Sequence, residues 1–167
     1  SDGTVVAWGR NDVGQLGDNT TVSRTAPVVV NTASGVSALS GRTVVAIAAG
    51  GNHSLALCSD GTLAAWGYNG TGQLGSSGAY FRLVPTAVST AAGMSALSGR
   101  TVVAVAAGYQ HSLALCSDGT VAAWGANGNG ELGDTTRTPT HLPVAVSTAS
   151  GVSALFGKNV VSIAAGA

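Results

Sequence analysis

The segment HSLALCSDGTLAAWG at residues 53–67 decides the fold of this chain. Two short apolar stretches flank an Asp-Gly pair at residues 60–61, and this arrangement is the strongest short-range signal of a β-hairpin. Leu55 and Leu57 share one face of the first stretch at a period of two, and the second stretch ends at Trp66. The segment therefore predicts two antiparallel strands joined by a two-residue Asp-Gly turn.

The same segment recurs every 58 residues, so that Trp8, Trp66 and Trp124 mark one position in three successive units. A gapless period of this size is typical of propellers, solenoids and arrays. We interpret the chain as one partial domain, residues 1–167, with repeats 1–58, 59–116 and 117–167, of which the last is incomplete.

Each unit contains four stretches with the pattern of a strand. When one unit is read from Arg42 to Gly99, the predicted strands cover residues 43–49, 53–58, 63–67 and 86–89. Pro85 suits the start of the fourth strand, because proline cannot donate to a sheet ladder. A link rich in Ser, Thr, Ala and Gly, residues 90–99, follows with one helical turn near its end. Four antiparallel strands per unit predict an all-β fold built of β-propeller blades. We expect the repeated tryptophan of the third strand to be buried by packing between blades.

The number of repeats has a consequence for assembly. Propellers typically close with roughly four to eight blades, so three units leave two sheet edges and their apolar faces open. We expect the chain to be part of a longer protein or of an assembly that supplies further blades. It is not expected to form a stable lone monomer.

Composition excludes several classes of function. Only 8% of the residues are charged, and seven basic side chains balance seven acidic ones. Nucleic-acid binding requires a basic face, which this chain lacks. Every long apolar run is interrupted by polar residues before it reaches the length of a membrane-spanning helix. We expect neither a nucleic-acid partner nor insertion into a membrane.

The repeated histidines are not expected to be catalytic. Neighbouring residues on a strand point to opposite faces, so His53 cannot activate Ser54. Neither His53 nor His111 has further metal ligands at a suitable spacing. Asp12 and Asp18 share a loop, but calcium loops carry a denser set of ligands. We expect each histidine to bond backbone at a turn between blades, and we expect no cofactor, metal or enzymatic activity.

Basic residues also recur at one position of each unit, as Arg42, Arg100 and Lys158. A ring of like charges at this position would suit an acidic partner. Alternatively, each cation caps the carbonyl groups of the preceding turn, where positive charge is favoured. We prefer the second interpretation, because three cations give only a weak field on a chain without net charge.

The ordered motifs resemble those of a known repeat family. The motifs are AAG at 48–50, HSLAL at 53–57, DG at 60–61, WG at 66–67 and GQLG at 72–75. Together they look like the repeat of the regulator-of-chromosome-condensation family, and the resemblance covers all three units. It implies blades of a larger propeller, commonly of about seven blades. The long link between units looks more like bacterial surface or secreted repeat proteins than like the eukaryotic nuclear exchange factor.

Binding is expected where the repeats differ from one another. The units diverge over residues 10–26, 68–84 and 126–142, which are predicted loops. Loops on a rigid scaffold commonly carry binding, and aromatic and arginine side chains dominate interface energies. The candidate binding residues are Arg24, Tyr80, Phe81, Arg82, Arg137 and His141. The alternative is that these loops only solvate the rim.

The sequence thus predicts a non-enzymatic structural or protein-binding scaffold, extracellular or on a bacterial surface. Its partner would be a protein, or further blades of the same kind. The family resemblance implies an alternative function as a guanine-nucleotide exchange factor or GTPase regulator. Fold alone does not determine function, however, and no cluster of charged residues suited to displacing a nucleotide and its magnesium is visible.

Overall fold

Ten strands build the fold of residues 3–166, the part of the chain that the computed structural model describes. They are β1 (Val6–Gly9), β2 (Arg24–Val29), β3 (Val44–Ala49), β4 (His53–Cys58), β5 (Leu63–Tyr68), β6 (Phe81–Ala87), β7 (Val102–Ala107), β8 (His111–Cys116), β9 (Val121–Gly125) and β10 (Thr140–Ala145). The described residues include no helix long and apolar enough to cross a membrane.

The strands form three antiparallel sheets in chain order. Strands β3 to β6 make one four-stranded sheet, β7 to β10 make another, and β1 pairs with β2. Corresponding pairs keep the same register, since His53 lies opposite Gly67 and His111 lies opposite Gly125. Four-stranded antiparallel sheets repeated in this way are propeller blades, so the predicted all-β propeller fold is confirmed. The sheet of β1 and β2 corresponds to the third and fourth strands of a blade.

The outer strand departs from its predicted bounds. Strand β6 begins at Phe81, five residues before the predicted start at Thr86, and Pro85 lies inside it. Proline is tolerated there because β6 is an edge strand and is irregular: its register against β5 shifts between Ala65 and Gly67. The predicted link also forms turns without a helix among its residues.

The Asp-Gly turn is longer than the sequence predicts. Gly61 N donates to Cys58 O at 3.0 Å, and Cys58 N donates to Thr62 O at 2.8 Å, which closes a three-residue loop. Gly61 has a φ of 81°, whereas Asp60 keeps a negative φ. A two-residue type I′ turn needs positive φ at both central residues, so the prediction of a two-residue turn is wrong.

The main core lies between the two complete blades. Leu55 and Leu57 of β4 pack in one buried cluster with Trp124 of the next blade. The opposite face of β4, with Ala56 and Cys58, packs in a second cluster that reaches the sheet of β1 and β2. Because side chains alternate along a strand, each β4-type strand joins its blade to both neighbours.

The repeated tryptophans differ in burial. Trp66 is 2% exposed and Trp124 is fully buried, as predicted for a residue packed between blades. Trp8 is 63% exposed, so the prediction is wrong for this residue. The reason is that, within residues 3–166, no repeat precedes β1 to cover its face.

Each blade has two ends. The turn at residues 50–52 and the variable loop at residues 69–80 leave the sheet of β3 to β6 at one end, which we call the loop face. The Asp-Gly turn at residues 59–62 and the link at residues 88–101 lie at the other end, the turn face. Because the three repeats share strand directions, all the variable loops emerge on the loop face.

The recurring cations lie on the turn face, and contacts within the chain hold two of them, Arg42 and Arg100. Arg42 Nη1 donates to Ala38 O at 3.0 Å, as expected for a cap of the preceding turn. Arg42 Nε also donates to Asp60 Oδ2 at 3.0 Å, and Arg100 makes the equivalent contact with Asp118 at 2.9 Å. These arginines therefore tie each link to the Asp-Gly turn of its own blade.

Candidate functional site

A histidine and a serine meet between the two complete blades, but their geometry is that of a structural contact. His53 Nε2 lies 2.9 Å from Ser112 Oγ. Ser112 Oγ donates to Gln73 O at 2.8 Å, so the hydroxyl proton is engaged and His53 Nε2–H acts as the donor to Ser112. A hydroxyl whose proton points away from the imidazole is not activated as a nucleophile. The prediction that His53 bonds backbone is wrong, because its partner is a side chain of the next blade.

The same carbonyl oxygen accepts a second bond across the interface. Trp124 Nε1 donates to Gln73 O at 2.9 Å. In the preceding repeat, Ser54 Oγ and Trp66 Nε1 both donate to Gln15 O at 3.0 Å. We call this arrangement of one carbonyl, one serine and one tryptophan the inter-blade latch. It explains why the tryptophan recurs.

Burial keeps the His53 imidazole neutral. The pKa of His53 is lowered from 6.5 to about 4, chiefly because burial penalises the charged form and secondly because of the charge of His111. Its ring lies against Gly50, where a Cβ would be only 2.3 Å from His53 Cε1. The glycine is therefore required by the close approach of this ring.

Metal-ligating side chains and thiols are also present among residues 3–166. Among residues 3–166 no group of three or more His, Cys, Asp or Glu side chains could hold a metal ion. Cys58 and Cys116 are buried free thiols, and burial raises the pKa of both. A thiol with a raised pKa is a poor nucleophile.

One buried asparagine organises each variable loop. In the second repeat Asn69 Oδ1 accepts from Leu74 N at 3.1 Å, while Asn69 Nδ2 donates to Ser76 O and Ala79 O at 3.1 Å. Asn11 and Asn127 occupy the same place in the other repeats and are fully buried. The backbone of each loop is therefore fixed by a side chain inside it.

The first loop also crosses to the outer strand of the next blade. Asn19 N donates to Leu83 O at 3.0 Å. Gly14, with a φ of 80°, lies so close to this strand that a Cβ would be 2.8 Å from Arg82 O. The loop face is thus a connected surface in which one repeat buttresses the next.

Three of the six predicted binding residues lie consecutively on this surface. Tyr80 is 76% exposed and Phe81 is 46% exposed, and half-buried Arg82 follows them at the start of β6. The three side chains extend from the end of the second repeat's loop, where Asn69 holds the backbone at Ala79.

The other three predicted residues are arranged differently. Arg24 is half-buried and contacts Asp18 Oδ2 through its Nη2 at 3.2 Å, so it is engaged within the first repeat. Arg137 is exposed in the third repeat's loop, and exposed His141 is the second residue of β10. His141 lies against the second repeat's loop, since a Cβ at Gly72 would be 2.7 Å from His141 Cα. Sequence reasoning missed Asp18 as the partner of Arg24.

Comparison with protein families gives matches along nearly the whole chain. The family model described as the Regulator of chromosome condensation (RCC1) repeat matches residues 2–57, 60–115 and 118–167. A second model of the same repeat matches residues 44–73 and 102–131. The three matches of the first model begin at residues 2, 60 and 118, which is the 58-residue spacing of the repeats.

Curated relatives share this part of their sequence. The chain is 37% identical to the probable E3 ubiquitin-protein ligase HERC6 of Homo sapiens over 133 residues. These residues make up 79% of this chain and 12% of that protein. It is 32% identical over 165 residues to the E3 ubiquitin-protein ligase HERC2 of Homo sapiens, 99% of this chain and 3% of that protein. The chain therefore spans only a small part of these relatives.

Solved structures share the fold. The crystal structure of human WBSCR16 superposes with a TM-score of 0.71 at 25% identity, over 88% of this chain and 35% of that one. The crystal structure of Prp20p from Saccharomyces cerevisiae gives a TM-score of 0.78 at 22% identity, over 98% of this chain and 37% of that one. At 22% identity the second likeness concerns the fold alone.

Proposed function

Because the chain belongs to the regulator of chromosome condensation (RCC1) repeat family, we propose that it is a non-enzymatic protein-binding scaffold within a larger propeller of about seven blades. The partner would bind the loop face. The observation that carries this proposal is the exposed pair Tyr80 and Phe81, which adjoins Arg82 on a loop with a fixed backbone. Arg24, Arg137 and His141 would lie at the periphery of the contact.

The aromatic pair is not explained by the architecture of the repeat. Its positions are occupied by Val22 and Ser23 in the first repeat and by Thr138 and Pro139 in the third. A large apolar side chain that is exposed and absent from the sister repeats contributes little to the core. Tyrosine and arginine are enriched among the energetic centres of protein interfaces, and a rigid loop lowers the entropic cost of binding.

The buried chemistry supports a non-enzymatic role. His53 is neutral, and the Ser112 hydroxyl donates to a main-chain carbonyl and not to the imidazole. The ubiquitin-ligase names of the relatives belong to proteins of which this chain matches 12% or less. Prp20p binds Gsp1p and histones, but its likeness to this chain carries the fold alone. No feature of the described loop face favours the alternative of nucleotide exchange.

We also propose that the protein is extracellular or on a cell surface, with residues 1–167 forming one partial domain. The support is the low charge, 8% of residues, together with the long uncharged links. Brief protease treatment of intact source cells tests this location. Cleavage of the protein without lysis is expected, whereas protection that ends only on lysis would contradict it.

Site-specific photo-crosslinking tests the scaffold function. A benzophenone amino acid replaces Phe81, and in a matched control it replaces Ser23, the equivalent residue of the first repeat. Illumination in source cells is expected to give a discrete protein adduct from position 81 only. The adduct should be lost on Tyr80→Ala, with the melting temperature unchanged because Tyr80 is exposed. No adduct at position 81, or the same adduct at both positions, would contradict the proposal.

A further inference from the structure

The second repeat has an arginine that lacks the carboxylate contacted by its counterpart. Arg24 and Arg82 occupy one repeat position, 58 residues apart. Arg24 Nε and Nη2 donate to Asp18 Oδ2 at 3.3 and 3.2 Å. In the second repeat the position of Asp18 is held by Ser76, which carries no charge. No salt bridge involves Arg82 among residues 3–166.

Both residues of this incomplete pair have buried polar atoms without partners. Within residues 3–166, three buried side-chain atoms lack a hydrogen-bond partner, and two of them are Ser76 Oγ and Arg82 Nε. Buried polar groups in folded proteins are nearly always bonded, so each exception needs an explanation. Both exceptions lie at the two positions that form an ion pair in the first repeat.

The loop around the pair also lacks the hydroxyl that holds the carboxylate in the first repeat. In the first repeat the Thr20 hydroxyl donates to Asp18 Oδ1 at 2.7 Å and helps to enclose it. The second repeat has Gly78 at that position, with a φ of 114°. A Cβ at residue 78 would lie 3.2 Å from Arg82 Nη2, so the glycine keeps the side of the guanidinium uncrowded.

An arginine without the neighbouring carboxylate is present in the second repeat and not in the third. It retains the carboxylate as Asp134, which accepts from Asn127 Nδ2 at 3.1 Å and from Thr136. It has Thr140 in place of the arginine. A cation without its carboxylate therefore occurs once, beside the exposed aromatic pair.

We propose that Arg82 and Ser76 form a binding site for the carboxylate of an aspartate or glutamate side chain in an acidic segment of a protein partner. The incoming carboxylate takes the place that the Asp18 carboxylate has in the first repeat. It accepts from the Arg82 guanidinium and from the Ser76 hydroxyl, and charge-assisted bonds of this kind are strong and directional. Tyr80 and Phe81 pack against the neighbouring residues of the segment. This site rests on the proposed function, because it names the chemistry of the partner at the loop face.

A carboxylate supplied within the chain tests the geometry. Ser76→Asp recreates the acid of the first repeat, and it should raise the melting temperature in the wild-type background. The rise should disappear in an Arg82→Gln background, because the pair is then absent. The same change of melting temperature in both backgrounds, or none in either, would overturn the assignment.

A carboxylate supplied in solution tests the site directly. The probe is a synthetic glutamate-rich peptide, compared with the same peptide carrying Gln for every Glu. The Arg82 Nε–H resonance, identified by its loss in Arg82→Gln, should shift saturably with the Glu peptide only. Ser76→Asp should weaken this binding at least about tenfold. Lys158→Gln, which removes an equal charge on the turn face, should leave it unchanged.

Each other outcome of the titration bears on the proposal. Equal shifts with sodium chloride at the same ionic strength, or with the Gln peptide, would overturn it. One result would be a partner that crosslinks at position 81 and still binds the variants Arg82→Gln and Ser76→Asp. That result would overturn the carboxylate site but would support the scaffold function. Saturable binding of the Glu peptide without any crosslinked partner would keep the site and count against the scaffold function.

Discussion

Single side chains connect the blades through main-chain oxygens that the sequence does not reveal as partners. The Ser and Trp of each inter-blade latch recur visibly in the sequence, but Gln73 O lies 39 residues from Ser112 and 51 residues from Trp124. Sequence reasoning therefore predicts that the tryptophan is buried and misses what its indole N–H contacts. The contribution of the latch to stability can be measured by comparing Trp124 with Trp8. Trp124 is fully buried and donates to Gln73 O, whereas Trp8 is 63% exposed.

Trp124→Phe is expected to destabilise the protein by about 1–3 kcal/mol. The indole N–H bond to Gln73 O is lost, and part of a fully buried side chain is removed. Trp8→Phe is the matched control and should change the free energy of unfolding by less than about 0.5 kcal/mol, because Trp8 is exposed. Urea denaturation followed by circular dichroism measures both. Equal losses for the two variants would show that the latch contributes nothing.

Acid should destabilise the protein through His53. The folded-state pKa of about 4 lies below the reference value of 6.5, so the unfolded chain binds a proton more readily. The stabilisation from neutral His53 is complete above about pH 6.5 and is lost progressively as the pH falls towards 4. Its full size is on the order of 3 kcal/mol. In denaturation at a series of pH values, His53→Gln should flatten this decline, and an unaltered slope would contradict the assignment.

At the scale of elements, the accuracy of the sequence predictions depends on how local the determining contacts are. The bounds of β4 were predicted correctly, because alternating Leu55 and Leu57 and the following turn define them within a few residues. The start of β6 was missed, because pairing of Phe81 with Tyr68 depends on a distant strand and on an irregular register. At the candidate site, Tyr80 and Phe81 were proposed because the repeats diverge there and because aromatic side chains favour interfaces, and their role in binding stays a prediction. The missing carboxylate beside Arg82 became visible only once Asp18 was seen to bind Arg24.

Gly75, inside the second variable loop, should be less replaceable than Gly93 of the link. Gly75 and Gly93 have similar positive φ values of 66° and 73°. A Cβ at Gly75 would lie 2.6 Å from Val88 Cγ1 and 2.9 Å from Trp124 Nε1, whereas a Cβ at Gly93 would meet nothing within 4 Å. Gly93→Ala is therefore expected to cost about 1 kcal/mol and Gly75→Ala about 2–4 kcal/mol. Denaturant unfolding gives both values, and a shift of Trp124 fluorescence only in Gly75→Ala would locate the crowding.

At the scale of the whole molecule, both sides of the described structure end in uncovered apolar surface. On one side lie Trp8 and Ile47, each 63% exposed, beside the unpaired edge of β1. On the other side Leu155 is partly exposed, whereas its equivalents Leu39 and Leu97 are 1% exposed, and the stretch at residues 159–166 pairs with no strand of the described chain. In the interface between the two complete blades, Trp124, the equivalent of Trp8, is buried, and Val105, the equivalent of Ile47, is partly buried. Further blades, in the same polypeptide or from other copies, would cover these edges.

The chain of 167 residues should therefore associate with itself when it is isolated. In sedimentation velocity the mean mass is expected to rise with protein concentration, because apolar edges gain by mutual burial. The double substitution Trp8→Gln with Ile47→Thr should reduce this association, and the melting temperature should be maintained because both residues are exposed. Tyr80→Gln, which removes an exposed aromatic residue from the loop face, is the control and should leave the association unchanged. A monomer at every concentration, melting in one cooperative transition, would show that the open edges are tolerated and would contradict the need for further blades.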